Sequence, residues 1–145
     1  MGRGHGGYTE YRESYRDSGN HKVTDKGAIF VAERYIDEGY ESVFRRRAKE
    51  KSIDLTIKTT DDTQFVKNIE VKMVCGENPS QIEKQLKKAK DQIKIGDTVA
   101  IYLPHHRNDA IGYAFAKAGV DEAKRKGDIN GPIEVWFSDK TKIYF

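Results

Sequence analysis

Asp54, Glu70 and Lys72 are the side chains of this chain best suited to act together chemically. Glu70-Val71-Lys72 lies in an alternating, β-prone stretch. Side chains alternate across a strand, so Glu70 and Lys72 share a face, roughly 6.6 Å apart along it. Asp54 stands in Ser52-Ile53-Asp54-Leu55, where a basic run gives way to a second β-prone stretch. Two carboxylates offer hard oxygen donors suited to Mg²⁺ or Mn²⁺. A protonated lysine beside them is no ligand, but it can orient a water or steady developing negative charge. A cation in such a site acidifies bound water and offsets charge on a phosphorane, which is the chemistry of phosphodiester hydrolysis.

A hairpin must bring these groups together. Strands are expected over 52–58 and 64–74, joined by a turn over 59–63. Ile53, Leu55 and Ile57 form one apolar face, and Ile69, Val71 and Met73 another. Joining those faces pairs 53 with 71 and 55 with 69, so Asp54 falls opposite Glu70 and shares the remaining face with Lys72. An exposed antiparallel face carrying ordinary charges would look the same at any one of these positions. A helix from Thr24 or Asp25 to Gly39 carries Ile29, Ile36 and Tyr40 at helical spacing, with Glu33 inside that stripe. A carboxylate there costs stability unless a cation meets it, or the helix rolls to put it at the boundary.

The other elements follow from pattern. A strand is expected over 42–46, and a helix opens at Asn78-Pro79 and runs to Lys94 with Ile82, Leu86, Ala89 and Ile93 inward. A strand over 97–103 precedes a loop holding His105-His106, then a helix over 109–126 with Ile111, Phe115 and Ala118 as its stripe. Strands over 133–137 and 142–145 close the chain. The order αβββαβαββ implies an α/β sandwich, three-layer-like, around a central mixed β-sheet.

The 145 residues suit one domain with a modest core. Residues 1–23 are rich in glycine and tyrosine and nearly free of aliphatic residues, which reads as a linker or arm before a domain over 24–145. The net charge of +3 is too mild to identify a nucleic-acid binder by itself. One cysteine, Cys75, excludes an internal disulfide and a Cys-rich zinc site. No apolar run reaches spanning length, and the N-terminus lacks the apolar core of a signal peptide.

The helix bearing Glu33, the acid in Ser52-Ile53-Asp54 and the Glu70-Val71-Lys72 strand resemble the PD-(D/E)XK nuclease core. The basic helix with Ala89-Lys90-Asp91-Gln92, the strand Val99-Ala100-Ile101-Tyr102-Leu103 and the closing Ile133-Glu134-Val135-Trp136-Phe137 are similar to the C-terminal nuclease domain of CdiA-type contact-dependent inhibition toxins. Ile53 stands where the family often has a proline before the strand acid. The resemblance spans about residues 25–145 and implies a restriction-endonuclease-like core. It further implies a toxin, delivered as part of a larger secreted or surface protein, acting in the cytoplasm of a target bacterium. Transfer RNA is then the favoured substrate, with an immunity protein as partner. Asp54 and Glu70 become the main metal ligands, Glu33 completes the shell and Lys72 is catalytic. Gln92 would hold the phosphate or Lys72.

Basic residues flank these positions. Arg45, Arg46 and Arg47 precede Asp54, and Lys84, Lys87 and Lys88 follow on the second helix; they suit a polyanion through counterion release, or are simply solvated charges. Tyr40, Tyr102 and Tyr113 are candidates for stacking on bases, or belong to the core and its boundary. His105 and His106 could act as acid and base without a metal, or bind a transition metal. A DNA-cleaving nuclease with the same core, or a non-catalytic nucleic-acid-binding module, would share most of this pattern.

Overall fold

The computed structural model describes residues 15–46, 53–61 and 64–145. Helix α1 (Lys26–Asp37) starts at Asp25, whose side chain accepts from the Ala28 N–H at 3.0 Å and satisfies one of the open donors of the first turn. Gly39, at φ +98°, adopts the left-handed conformation that glycine tolerates and turns the chain directly into β1 (Tyr40–Phe44). That reversal is why the strand begins two residues before the expected position 42.

Strands β2 (Leu55–Thr59) and β3 (Phe65–Met73) form the hairpin. Helix α2 (Ser80–Lys90), β4 (Thr98–Leu103), α3 (Ala110–Arg125), β5 (Ile133–Phe137) and β6 (Lys142–Tyr144) complete the chain. The six strands lie in the order β1-β2-β3-β4-β5-β6, with β3, β4 and β5 mutually parallel and the other neighbours antiparallel. The protein is therefore α/β with a mixed sheet.

Each face of that sheet has its own core. Leu55, Ile57, Ile69, Val71, Ala100 and Trp136 turn towards α1. Val99, Ile101, Leu103, Ile133, Val135 and Phe137 turn towards α2 and α3. On this second face the apolar cluster draws nothing from β1, β2 or β3. Strand alternation instead puts Thr56, Asn68, Glu70 and Lys72 there, leaving a polar floor.

Two helices depart from expectation. Helix α2 stops at Lys90, where Asp91 and Gln92 tighten onto Lys88 O and Ala89 O, and the Asp97 carboxylate fixes the Lys94 N–H at 2.9 Å. In α3, Ile111 is exposed and so is Ala118; the inward stripe is Gly112, Phe115, Ala116, Gly119, Val120 and Ala123. Gly119 explains the shift: a β-carbon on it would lie 2.5 Å from Ile82 Cβ, so α2 and α3 meet backbone against side chain. An apolar pattern counts such a glycine as neutral although it marks the contact.

Residues 15–23, read from composition as part of an arm, pack on the fold. Arg16 bridges Lys22 and Asp17 bridges Phe44. The Tyr15 ring is buried against Phe44, with centroids 4.9 Å apart.

Candidate functional site

The hairpin register follows the apolar alternation. Leu55 pairs with Ile69, and Asp54 N donates to Ile69 O at 3.0 Å, continuing the ladder to the Asp54/Glu70 level. Asp54 lies just before β2, where its side chain escapes the pleat and accepts from the Val71 N–H at 2.9 Å. Glu70 is 1% exposed, and Lys72 Nζ stands 3.2 Å from its Oε2. The Asp54 carboxylate is near enough to act electrostatically on the Glu70 carboxyl.

This arrangement is electrostatically uneven. Burial pushes the Glu70 carboxyl up to about 8, and the neighbouring Asp54 charge adds to that rise, while Lys72 opposes it. Glu70 Oε1 is buried with no hydrogen-bond partner. Two oxygen-donor side chains stand together here with one unsatisfied acceptor, a lack that a divalent cation would fill. The donors present fit Mg²⁺ or Mn²⁺.

The structure brings three of the four expected groups together and not the fourth. Glu33 lies in α1, which covers the opposite face of the sheet; it is 3% exposed and accepts from the Tyr15 hydroxyl at 3.3 Å. Among the described residues, no group of three His, Cys, Asp or Glu side chains is placed to hold a metal ion. The physical reason is parity: Val71, not Glu70, turns towards α1.

Gln92 enters by another route. It lines a groove of about 410 Å³ on the polar floor, together with Arg45, Thr56, Phe65, Asn68 and Asp97. Its Oε1 is buried with no hydrogen-bond partner. The Thr56 hydroxyl donates to Asn68 Oδ1 at 2.8 Å, and Asn68 Nδ2 reaches Asp97 Oδ1 at 3.5 Å. Thr56, Asn68, Asp97 and Phe65 were not among the expected residues. The register nonetheless held the signal, since Thr56 and Asn68 follow and precede Asp54 and Glu70 by two on the same face.

Arg45 also lines a second depression, of about 350 Å³, with Asp54, Lys22 and Asp25. Asp54 thus borders one of two hollows that share Arg45. Arg45 and Arg46 are exposed, while Arg47 lies outside the described residues. Lys84, Lys87 and Lys88 are exposed on α2, and Lys84 borders a hollow beyond Lys72 with Met73 and Cys75.

The histidines and tyrosines are placed elsewhere. The His106 ring stacks on Phe115 with centroids 4.1 Å apart, making it part of the α3 contact, and His105 is exposed. Tyr102 stacks on Phe30 at 3.9 Å, Tyr40 meets Tyr35 edge-on at 6.0 Å, and Tyr113 lies against Phe145 at 6.0 Å.

A second polar cluster is buried on the α1 face. Glu134, 0% exposed, accepts from Tyr35 Oη at 2.6 Å, Trp136 Nε1 at 2.8 Å and Lys67 Nζ at 3.2 Å. Burial, then the Glu134 charge, hold the Tyr35 hydroxyl far above its ordinary value, so it stays a donor. Every polar atom of this cluster has a structural use.

No helix among the described residues is long and apolar enough to cross a membrane. No family model, no curated protein and no solved structure matches the chain.

Proposed function

We propose that the protein is a metal-dependent endonuclease that hydrolyses phosphodiester bonds in nucleic acid, with RNA favoured over DNA. The observation carrying this reading is the meeting of Asp54, Glu70 and Lys72 at one end of the polar face of β2 and β3, with Glu70 Oε1 buried and unpartnered. The restriction-endonuclease-like core belongs to the same proposal: α1, the β1-β2-β3 meander, α2 and the parallel β4 follow one another as such a core requires.

Asp54 and Glu70 would hold Mg²⁺ or Mn²⁺. The ion would supply Lewis-acid polarisation of the phosphate and a more acidic water. Glu70 is largely protonated near neutral pH without a cation, so it takes up its ligand role by losing a proton. Lys72, held by Glu70, places a positive charge where phosphorane oxygens gain negative charge. Arg45, between the two hollows, is placed to grip the phosphate that spans them. Glu33 has no direct part and instead anchors Tyr15.

The toxin setting implied by the CdiA-type resemblance extends this proposal: delivery into a neighbouring bacterium, cleavage of transfer RNA, and silencing by an immunity protein. One experiment tests the chemistry. Purified protein is incubated with transfer RNA, total RNA and plasmid, in Mg²⁺ or in EDTA. Cleavage that EDTA stops and Asp54→Ala abolishes is expected. Cleavage that survives both would sink the metal-dependent reading.

A further inference from the structure

We propose that the groove beside Asp54 and Glu70 receives one unpaired nucleobase, stacked on Phe65 and read at its edge by Gln92, so that the substrate is single-stranded or looped. This rests on the hydrolytic reading above and names the form of nucleic acid that the site takes. The groove's volume of about 410 Å³ falls within the range of sites that enclose a small planar ligand. Phe65 is 62% exposed on its wall, a large aromatic surface left open to solvent. Ile53, half-buried, adds a second apolar surface. A base paired and stacked inside a duplex has no free face to give Phe65, whereas an unpaired base has two.

The polar groups suit the edge of such a base. Asn68 is committed to Thr56 and Asp97, and Asp97 Oδ2 to the Lys94 N–H, so these form a fixed floor. Gln92 Oε1 is left buried and unpartnered in the same groove. A buried acceptor of this kind is normally matched, and a turn of the Gln92 amide into the groove it lines would offer it to a base N–H. Asn68 precedes Glu70 by two residues on one face, so the groove begins roughly 6.6 Å along β3 from the Glu70 position. Arg45 borders both hollows, where the phosphate of that nucleotide would pass.

Binding is measured with Asp54→Asn protein in EDTA, so that nothing is cut, using RNA oligonucleotides that carry 2-aminopurine. The same sequence is offered as single strand, as hairpin loop and as full duplex. The strand and the loop should bind at least about tenfold more tightly than the duplex, with a change in 2-aminopurine fluorescence as the base moves onto Phe65. Adding Phe65→Ala, at an exposed position, should abolish that change and weaken binding by about tenfold. Adding Gln92→Ala should weaken strand binding with little effect on the duplex. Equal affinity for strand and duplex, or a Phe65→Ala protein that binds and reports as before, overturns the proposal. The two readings fail separately. A wild-type protein that cuts duplex and strand alike, with or without Phe65, leaves hydrolysis standing and removes the pocket. One that binds strands with the fluorescence change but cuts nothing in Mg²⁺ leaves the pocket and removes the hydrolysis.

Discussion

Asp54 accepts a hydrogen bond at 2.9 Å from the backbone N–H of Val71, the residue between Glu70 and Lys72. The acid that precedes β2 is thus fastened to the main chain of β3, which carries the other two groups. Its carboxylate is held in place before any substrate or ion arrives, the kind of preorganisation on which electrostatic catalysis depends.

Asp54 therefore has a structural role, and a proposed chemical one, that substitution can separate. Asp54→Asn keeps an oxygen for the Val71 N–H and should melt within a few degrees of wild type, while cleavage is lost. Asp54→Ala loses cleavage and also strands that N–H, at a cost of about 1–3 kcal/mol. Thermal denaturation of the two variants checks this; identical melting would mean that the bond contributes nothing.

Glu70 ties stability to pH. Its carboxyl is held up to about 8 in the fold against an ordinary value of 4.5, so the unfolded chain loses this proton first. Stability should fall as pH rises from about 4.5 to 8, by on the order of a few kcal/mol in the absence of divalent ions. Glu70→Gln should flatten that slope and be the more stable protein at pH 8. Urea titrations at several pH values measure both, and a slope unchanged by Glu70→Gln would remove Glu70 as its source.

Divalent ions should reverse the trend. A cation competes with the Glu70 proton, so Mg²⁺ or Mn²⁺ should raise the melting temperature more at pH 8 than at pH 6. Asp54→Asn should abolish the rise. Calorimetry in buffers of different ionisation enthalpy would detect the released proton, and a melting point indifferent to either ion at both pH values contradicts the expectation.

Glu33 offers the opposite contrast. Because it is buried with Tyr15 on the α1 face, Glu33→Gln should retain cleavage within about tenfold and cost about 1–2 kcal/mol of stability. A loss of activity as deep as that of Glu70→Gln, with unchanged stability, would place Glu33 in the chemistry after all.

Glu134 is expected to matter for folding alone. Glu134→Ala removes the shared acceptor of Tyr35, Trp136 and Lys67 and leaves a partly buried ammonium, at a cost of about 3–5 kcal/mol. Activity per folded molecule, measured after correcting for the folded fraction by denaturation, should not change.

The hairpin was legible in the sequence because period-two alternation on both strands leaves only one pairing that joins their apolar faces. Leu55 against Ile69 followed from that alone, and with it the meeting of Asp54 and Glu70. Glu33 was misplaced because helical spacing shows that a residue faces the sheet but not which face of the sheet it meets. The α3 stripe was misread because Gly112 and Gly119, counted as neutral, are the residues at the contact. Tyr15 was invisible because tyrosines scattered through a polar, glycine-rich run carry no period. The Glu134 cluster joins residues far apart in the chain, which no local window could connect.

Lys142 donates to the Tyr35 hydroxyl across 107 positions of sequence, and Tyr35 reaches Glu134 across 99. The first helix and the last strand pair are thus knotted through one carboxylate, so neither can loosen without exposing a charge that the other holds. The described fold should open all at once, and a protease should find neither α1 nor the β5–β6 pair loosened by itself.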